Sequence, residues 1–204
     1  MHDTHLIVFA KAPTAGQVKT RLAPAIGEDA AARLAERMLT ETLATAAAAN
    51  PCGIELCCAP DENHPALAQA AAQAGASCSR QTGADLGARM ANAFQTALAR
   101  YQRVLLIGTD CPALDVSVLH AAATALANGN DAVFVPAVDG GYVLIGLSRV
   151  HPDLFRNIPW STSRVMAETE HRLADLGWQW HKLKPLPDVD DPQDLIHVPE
   201  AWYA

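Results

Sequence analysis

Short apolar runs alternate with longer segments of helical periodicity along this chain, and this alternation constrains its fold more than any other feature. The apolar runs are interpreted as buried strands at 6–10, 54–59, 104–107 and 132–135. Segments with helical spacing lie at 28–48, 64–74, 85–97, 114–127 and about 162–176. Such alternation is typical of α/β proteins, in which helices cover both faces of a mostly parallel sheet. We therefore expect a single α/β domain spanning residues 1–204.

One connection breaks the pattern and predicts a chain reversal. Only residues 136–141 separate the strand at 132–135 from the apolar run at 142–147. A crossover between parallel strands needs a dozen or more residues, so this link must turn the chain back. An extended segment is expected at 178–186, after the last long helix. The sheet is therefore predicted to be mixed and mostly parallel.

Three helix ends carry residues with known capping preferences. Gly75 follows an alanine-rich stretch and is predicted to end that helix. Asp85 precedes apolar residues at helical spacing and is predicted to cap their helix. Asp191 and Pro192 are typical of a helix start, with Asp194 in the first turn. Asp191 and Asp194 are thereby explained by structure alone.

The charge and apolar content of the chain exclude several classes of protein. The net charge is −7, and no basic run offsets it, so the chain is not expected to bind nucleic acid. Half of the residues are hydrophobic and only 18% are charged, which favours a large core over disorder. No apolar stretch is long enough for a membrane span or a signal peptide. We expect a cytoplasmic protein whose odd set of cysteines consists of buried free thiols, at 52, 57, 58, 78 and 111.

A loop rich in cations directly follows the first strand. Its only charges are Lys11, Lys19 and Arg21, and Gly16 gives it flexibility. Ligands of open α/β sheets bind beyond the carboxyl ends of the strands, where this loop would lie. The loop suits a diphosphate, although a solvated basic loop explains the same residues equally well. The common phosphate-binding patterns G-x-x-x-x-G-K-[ST] and G-x-G-x-x-G are absent.

Carboxylates at two places in the sequence are candidate ligands of a hard divalent cation. Asp110 follows the apolar strand at 104–107, and a carboxylate there could hold Mg²⁺ or Mn²⁺ against substrate phosphates. A turn aspartate before Pro112 is an equally good local explanation. Asp188 and Asp190 are two residues apart, so in extended chain they share one face. They have no evident structural duty, which leaves a metal-ligand role open.

The turn Asp139-Gly140-Gly141 lies inside the predicted chain reversal. Its glycines permit positive φ and close approach of a ligand to the backbone. Asp139 is a candidate general base or acceptor of hydrogen bonds from sugar hydroxyls. Taken alone, a plain Asp-Gly turn is the simpler interpretation.

Six strings occur in order between Leu6 and about Leu195, and together they resemble a known family. They are A-K-A-P-x-x-G-x-V-K-T-R-L, G-A-D-L-G-A-R-M, G-T-D-C-P, D-G-G-Y-V-L-I-G-L, W-S-T and D-V-D-D-P-Q-D-L. The chain resembles the bacterial glycosyltransferase-A-like family of nucleotide-diphospho-sugar transferases, which includes arsenosugar-biosynthesis-type glycosyltransferases. The resemblance implies the three-layer, Rossmann-like GT-A fold with a mixed, mostly parallel sheet.

The same resemblance implies roles for particular residues. Asp110 matches the metal-binding aspartate of the D-x-D-type site, although only one of the two aspartates is present. Asp190 best matches the second metal ligand, with Asp188 as the alternative. The phosphates would be bound by Lys11, Lys19 and Arg21, with Gly16 in the same loop. The sugar or acceptor side would be lined by Asp139, Gly140, Gly141, Trp160 and Thr162.

Three functions remain open at this point. The first is metal-dependent glycosyl transfer from a nucleotide-diphospho-sugar to an acceptor, in which metal and bases stabilise the leaving nucleoside diphosphate. The second is nucleotidyl transfer from a nucleoside triphosphate to a phosphorylated acceptor. Related nucleotidyltransferases carry a G-G-x-x-x-R-M-G type loop that this chain lacks, whereas K-T-R-L is similar to the K-S-R-L of some of them. The third is a nucleotide-sugar binding module without turnover.

Overall fold

Seven strands form one sheet in the computed structural model, which describes residues 1–204. The strands are β1 (Thr4–Lys11), β2 (Gly53–Ala59), β3 (Ser77–Arg80), β4 (Arg103–Ile107), β5 (Ala132–Pro136), β6 (Tyr142–Leu147) and β7 (Trp180–Lys182). The α-helices are α1 (Ala23–Ile26), α2 (Glu28–Ala48), α3 (Pro65–Ala74), α4 (Leu86–Leu98), α5 (Val116–Ala127) and α6 (Val165–Asp175). Short 3₁₀ helices lie at Pro152–Leu154, Pro192–His197 and Glu200–Trp202.

The sheet is mixed, as the short link between the two apolar runs predicted. Its strand order is β3-β2-β1-β4-β6-β5-β7. Strand β6 runs antiparallel to both β4 and β5, whereas every other neighbouring pair is parallel. The carboxyl ends of β1, β2, β4 and β5 consequently meet at one edge of the sheet, and β6 begins there.

Helices cover both faces of the sheet and give three layers. Alternate strand residues such as Leu6 and Val8 pack with α2, α3 and α5 in one core. Their neighbours Ile7 and Phe9 pack with α4 and α6 in a second core. This period of two follows from side chains pointing to opposite faces along a strand. The predicted α/β fold class is confirmed.

Some element boundaries differ from those that the sequence predicted. Strand β3 was not predicted, because Ser77–Arg80 is a mostly exposed edge strand without an apolar run. Helix α5 begins at Val116 rather than at residue 114, since Asp115 caps it with a side-chain oxygen that accepts from the Val118 N–H. The expected extended segment at 178–186 forms a strand only at Trp180–Lys182.

The predicted helix caps are confirmed. Gly75 has φ +64°, the left-handed conformation that glycine adopts at low cost. The Asp85 carboxylate accepts a hydrogen bond of 2.8 Å from the Ala88 N–H. The Asp191 and Asp194 side chains form a reciprocal capping box at the start of a 3₁₀ helix. Asp191 and Asp194 therefore stabilise the loop that carries Asp190.

The five cysteines are all free thiols, but they are not all buried. Cys57, Cys58 and Cys111 are buried, whereas Cys52 and Cys78 are exposed. The prediction of buried thiols is therefore wrong for two of them, because Cys52 precedes β2 and Cys78 lies on the exposed edge strand. None of the helices combines the length and apolar character needed to cross a membrane.

The chain after β7 runs along the carboxyl edge of the sheet and ties its loops together. The Leu186 N–H donates to the Pro136 carbonyl at the end of β5. Three residues later, the Val189 N–H donates to the Asp110 carbonyl just beyond β4, at 2.8 Å. Val189 itself is fully buried. These contacts bring Asp188 and Asp190 next to residues that lie far away in sequence.

Candidate active site

A cavity of about 620 Å³ opens at the carboxyl edge of the sheet. It receives the ends of β1 and β4, the link between β5 and β6, the start of α4 and the segment around residue 189. The polar and aromatic residues that line it include Lys11, Gln17, Lys19, Arg21, Gln81, Arg89, Asp110, Asp139, Tyr142, Trp160, Thr162, Asp188 and Asp190. The fold thus brings most of the predicted site residues to one cavity. The exceptions are Gly16 and Gly140, which do not line it.

Lys19 lies between two of the predicted metal ligands. Its Nζ is 2.5 Å from Asp110 Oδ1 and 3.1 Å from Asp190 Oδ1. It also donates to the Val189 carbonyl at 2.6 Å. Burial acts to lower the pKa of Lys19, but Asp110 and then Asp190 outweigh it and raise the pKa. The ammonium thus has three protein acceptors, and a role for Lys19 in phosphate binding stays a prediction.

Four carboxylates gather around this point, and we call Asp110, Asp139, Asp188 and Asp190 the carboxylate cluster. Burial raises the pKa of Asp188 to about 6, and the charges of Asp139, Asp190 and Asp110 add to the effect. The side chains of Asp110 and Asp190 are 47% and 42% exposed, so a ligand in the cavity can reach both. The cluster therefore carries negative charge that the protein does not fully neutralise.

The turn that carries Asp139 has a tightly determined shape. Asp139 Oδ1 accepts a hydrogen bond of 2.8 Å from the Gly141 N–H. Gly140 has φ +96°, and any Cβ there would overlap the Ser163 backbone. The Gly140 carbonyl accepts from the Met166 N–H at 2.9 Å, near the start of α6. Gly140 shapes the turn from outside the cavity, while Gly141 and Asp139 line it.

The other predicted phosphate-binding residues belong to a more exposed part of the loop. Lys11 is exposed, and its ammonium donates to the Gln17 carbonyl at 2.5 Å. The Arg21 side chain is 59% exposed, and its guanidinium is 3.9 Å from Asp190 Oδ2. Gly16 has φ +74° and shapes the loop without facing the cavity.

Gln81 and Arg89 line the cavity, although neither was singled out from the sequence. Gln81 follows β3, and its amide donates to the carbonyls of Ala10 and Cys57, across the ends of β1 and β2. Arg89 comes from the first turns of α4, and its Nε donates to the Gly83 carbonyl. Arg89 lies within the quoted string G-A-D-L-G-A-R-M, so that string contained the signal. The sequence around Gln81 contains no such signal, because Gln81 reaches the cavity only where the edge strand β3 places it.

Aromatic side chains form the wall of the cavity near the Asp139 turn. The rings of Trp160 and Tyr142 meet edge to face, with centroids 6.4 Å apart. Trp160 also packs on Gly87 so closely that a Cβ there would overlap the indole. Burial raises the pKa of Tyr142 strongly, so its hydroxyl stays neutral. Thr162 donates to the Pro159 carbonyl at 2.7 Å and lies at the exposed rim.

The carboxylate cluster has the donor chemistry for a hard cation but does not form a complete metal cage. No group of three His, Cys, Asp or Glu side chains lies close enough to hold a metal ion. Mg²⁺ is commonly bound by only one or two carboxylates, with waters and substrate phosphates completing its octahedron. The Lys19 ammonium between Asp110 and Asp190 stands where a cation is favoured. The residues present therefore fit a metal that binds together with phosphate.

Comparison with known proteins agrees with this fold. The family described as "Uncharacterized protein conserved in bacteria (DUF2064)" matches residues 42–162. The structure of a candidate nucleotide-diphospho-sugar transferase from Desulfovibrio desulfuricans G20 is 32% identical in sequence. The match covers 96% of this chain and 85% of that one, with a TM-score of 0.86. No curated protein matches the sequence.

More distant structures share the fold at low sequence identity. A 4-diphosphocytidyl-2C-methyl-D-erythritol synthase from Anaerococcus prevotii DSM 20548 is 11% identical over 96% of both chains, with a TM-score of 0.65. A nucleotidyl transferase from Methanothermobacter thermautotroptrophicus is 12% identical over 99% of this chain and 98% of that one, also with a TM-score of 0.65. These likenesses concern the fold alone. Since the family match covers more than half of the residues and the D. desulfuricans structure aligns over nearly all of them, this chain belongs to the DUF2064 family.

Proposed function

We propose that this protein is a transferase that uses a nucleotide-diphospho-sugar as glycosyl donor, with Mg²⁺ or Mn²⁺ bound alongside the diphosphate. The observation that carries the proposal is the composition of the cavity, which combines accessible cations with a partly neutralised carboxylate cluster. A donor of this kind presents a diphosphate next to a sugar, and each part needs different chemistry. The D. desulfuricans relative, a candidate nucleotide-diphospho-sugar transferase, supports the same choice.

The diphosphate would be bound by three side chains that we call the cavity cations, Lys11, Arg21 and Arg89. Arg21 and Lys11 are exposed, so both can turn toward an incoming anion. Arginine binds phosphate oxygens through two parallel N–H groups, which fixes orientation as well as charge. The protein as a whole has a net charge of −7, which repels anions. The local positive charge of the cavity cations would therefore be what attracts an anion into this cavity.

Asp110 and one of Asp188 or Asp190 would hold the metal. When bound, the ion would neutralise charge on the leaving nucleoside diphosphate. Asp110 is half-exposed and is anchored through its carbonyl by the Val189 N–H, so its carboxylate keeps its place at the cavity. Burial raises the pKa of Asp188, and the charges of the neighbouring carboxylates raise it further; a divalent cation would relieve that repulsion.

The sugar or acceptor would lie beside the Asp139 turn, against Gly141, Trp160 and Thr162. Asp139 is exposed and is the proposed general base that removes a proton from the acceptor hydroxyl. Its Oδ1 already accepts from Gly141, so Oδ2 is the oxygen left for that proton. The indole of Trp160 offers an apolar wall of the kind that packs against a sugar face.

The decisive experiment is incubation with UDP-, GDP-, CDP- and ADP-sugars in the presence of Mn²⁺, followed by chromatography of the nucleotides. We expect slow release of a nucleoside diphosphate, through hydrolysis when no acceptor is added. Asp139→Asn should retain donor binding, since an asparagine oxygen still accepts from the Gly141 N–H. It should lose most of the nucleoside diphosphate release, because the proposed general base is removed. Absence of nucleoside diphosphate from every donor, with pyrophosphate formed from triphosphates instead, would contradict the proposal.

Nucleotidyl transfer is the second candidate. It is favoured by the three cavity cations, Lys11, Arg21 and Arg89, which together carry enough positive charge to bind a triphosphate. That reaction breaks the α–β phosphoanhydride and releases pyrophosphate, which an enzymatic pyrophosphate assay measures directly. A third candidate, a binding module without turnover, predicts saturable nucleotide-sugar binding and no product in either assay.

A further inference from the structure

Lys19 differs from the cavity cations in its surroundings. Its side chain is only 6% exposed, whereas that of Arg21 is 59% exposed. Its ammonium has three protein acceptors, supplied by Asp110, Asp190 and the Val189 carbonyl. An ammonium has three hydrogens, so none is left for a phosphate in this arrangement. Lys19 therefore has a duty that phosphate binding does not explain.

We infer that Lys19 is the internal counterion of Asp110 and Asp190, and that a divalent cation must displace its ammonium in order to bind. The inference rests on the proposed metal-dependent function and adds to it an order in which metal and phosphate bind. The free protein binds metal weakly, and strong metal binding accompanies the arrival of the phosphates.

The contacts of Lys19 support this competition directly. The ammonium lies 2.5 Å from Asp110 Oδ1 and 3.1 Å from Asp190 Oδ1, and these two carboxylates are the ones that would hold the metal. A hard cation held by only two carboxylates completes its coordination with water or phosphate oxygens. Without phosphate, the ion gains two carboxylates but releases a buried ammonium from three acceptors. With phosphate present, both cations have partners, because the released ammonium can donate to a phosphate oxygen.

The position of Lys19 in the loop allows its ammonium to change acceptors without moving the rest of the fold. Lys19 has φ +49°, a left-handed conformation that is uncommon for a residue with a side chain. It lies between exposed residues of the loop and Leu22, which is fully buried. The ammonium can therefore change partners while Leu22 keeps the loop anchored in its apolar cluster.

The test is direct titration of Mn²⁺ alone into the protein without nucleotide, by calorimetry and by electron paramagnetic resonance. Lys19→Met keeps an unbranched side chain of similar length but removes the competing charge. We expect this variant to bind Mn²⁺ about tenfold or more tightly than the wild type, because a positive charge next to the ion is lost. A merely structural role for Lys19 predicts equal or weaker Mn²⁺ binding.

Two matched variants separate competition from general charge effects. Lys11→Met makes the same substitution in the same loop, but Lys11 donates to a carbonyl rather than to the carboxylates. Arg21→Met removes a charge that lies 3.9 Å from Asp190 yet is exposed to water. Both should change Mn²⁺ affinity much less than Lys19→Met. Equal affinity in the wild type and Lys19→Met, or equal gains in all three variants, would overturn the inference.

If Lys19→Met does not fold, as judged by circular dichroism, the wild type provides the test. The ¹⁵N signal of the buried Lys19 ammonium is followed while Mg²⁺ is raised to high concentration at constant ionic strength. Displacement of this signal supports the inference, and a signal that stays unchanged throughout overturns it. The proposed function is tested separately by nucleoside diphosphate release, so a transferase with an unmoved Lys19 would refute the competition alone.

Discussion

The carboxylate cluster and the cavity cations are held by the protein to very different degrees. Asp110 is linked to Val189 through the backbone and to Lys19 through its side chain. Asp139 is fixed by Gly141 and by a turn that tolerates no Cβ at its centre. In contrast, Lys11 and Arg21 are exposed and make few contacts with the protein. The carboxylates are thus positioned in advance, whereas Lys11 and Arg21 are free to adjust.

This difference matches what each ligand would require. A metal site loses affinity when its ligand oxygens must first be brought together, and carboxylates that are already fixed reduce this free-energy cost. A diphosphate enters from solvent, and flexible exposed cations can follow it and exclude water as it binds. Changes in the carboxylate cluster should therefore have larger effects on ligand binding than changes among the cavity cations.

The largest effect is expected for Asp110→Asn. This change keeps the shape of the side chain but removes the charge that attracts a hard cation, so Mn²⁺-dependent nucleotide binding should weaken by about 100-fold. Asp190 and the Val189 carbonyl still bind Lys19, so the melting temperature should fall by only about 2–4 °C. Calorimetry and differential scanning fluorimetry measure the two quantities.

Asp175→Asn is the matched control for that substitution. Asp175 is an exposed residue at the end of α6 and does not line the cavity. Its substitution should leave Mn²⁺-dependent binding unchanged. Normal metal affinity in a folded Asp110→Asn protein would show that the carboxylate cluster is not the metal site.

A smaller effect is expected for Arg21→Ala. Binding of a nucleoside diphosphate should weaken by about 1–2 kcal/mol, the contribution of a charge-assisted hydrogen bond at an accessible site. Binding of the bare nucleoside should change much less, because it offers no phosphate to Arg21. Arg37→Ala, which removes an exposed arginine of α2 outside the cavity, should change neither affinity. Equal losses for nucleoside and nucleoside diphosphate would contradict a phosphate role for Arg21.

The smallest effect concerns pH and tests the charge of the carboxylate cluster without any ligand. The pKa of Asp188 is about 6 in the folded protein, against 3.8 for an ordinary aspartate. At pH values between 3.8 and about 6, the folded protein keeps a proton on Asp188 that the unfolded chain has lost. Ionisation of Asp188 therefore destabilises the folded protein as the pH rises through about 6. Asp188→Asn should therefore increase stability above pH 6. Because Asp188 is only half-buried, water screens much of the effect, and we expect about 1 kcal/mol.

Denaturation of the metal-free protein in EDTA at pH 7.5 and at pH 4 measures this difference. Asp188→Asn should be more stable than the wild type at pH 7.5, whereas the two should become similar at pH 4, where Asp188 is protonated. Asp175→Asn serves again as the exposed control and should show no such change with pH. A stabilisation by Asp188→Asn that is independent of pH would mean that packing, rather than charge, is responsible.

Local sequence patterns determined most of the architecture. The apolar runs gave the buried strands, and the six-residue link at 136–141 predicted that β6 would reverse direction. Gly75 and Asp85 marked helix ends from their backbone and capping chemistry alone. Each of these features depends on residues that are neighbours in the chain, which is why periodicity and turn length were enough to find them. The polar edge strand β3 lacked such a pattern and was missed.

Only the tertiary structure decided which charged side chains of the site contact each other. The contact between Lys19 and Asp190 joins residues 171 positions apart, and it exists because the segment after β7 passes the end of β4. The sequence marked Lys19 as one basic residue among three, and nothing local distinguishes it from Arg21. Burial separates them, since a buried ammonium must find acceptors inside the protein while an exposed guanidinium remains hydrated. The sequence thus named the charged residues of the cavity except Arg89, and the strand order decided which of them neutralise each other.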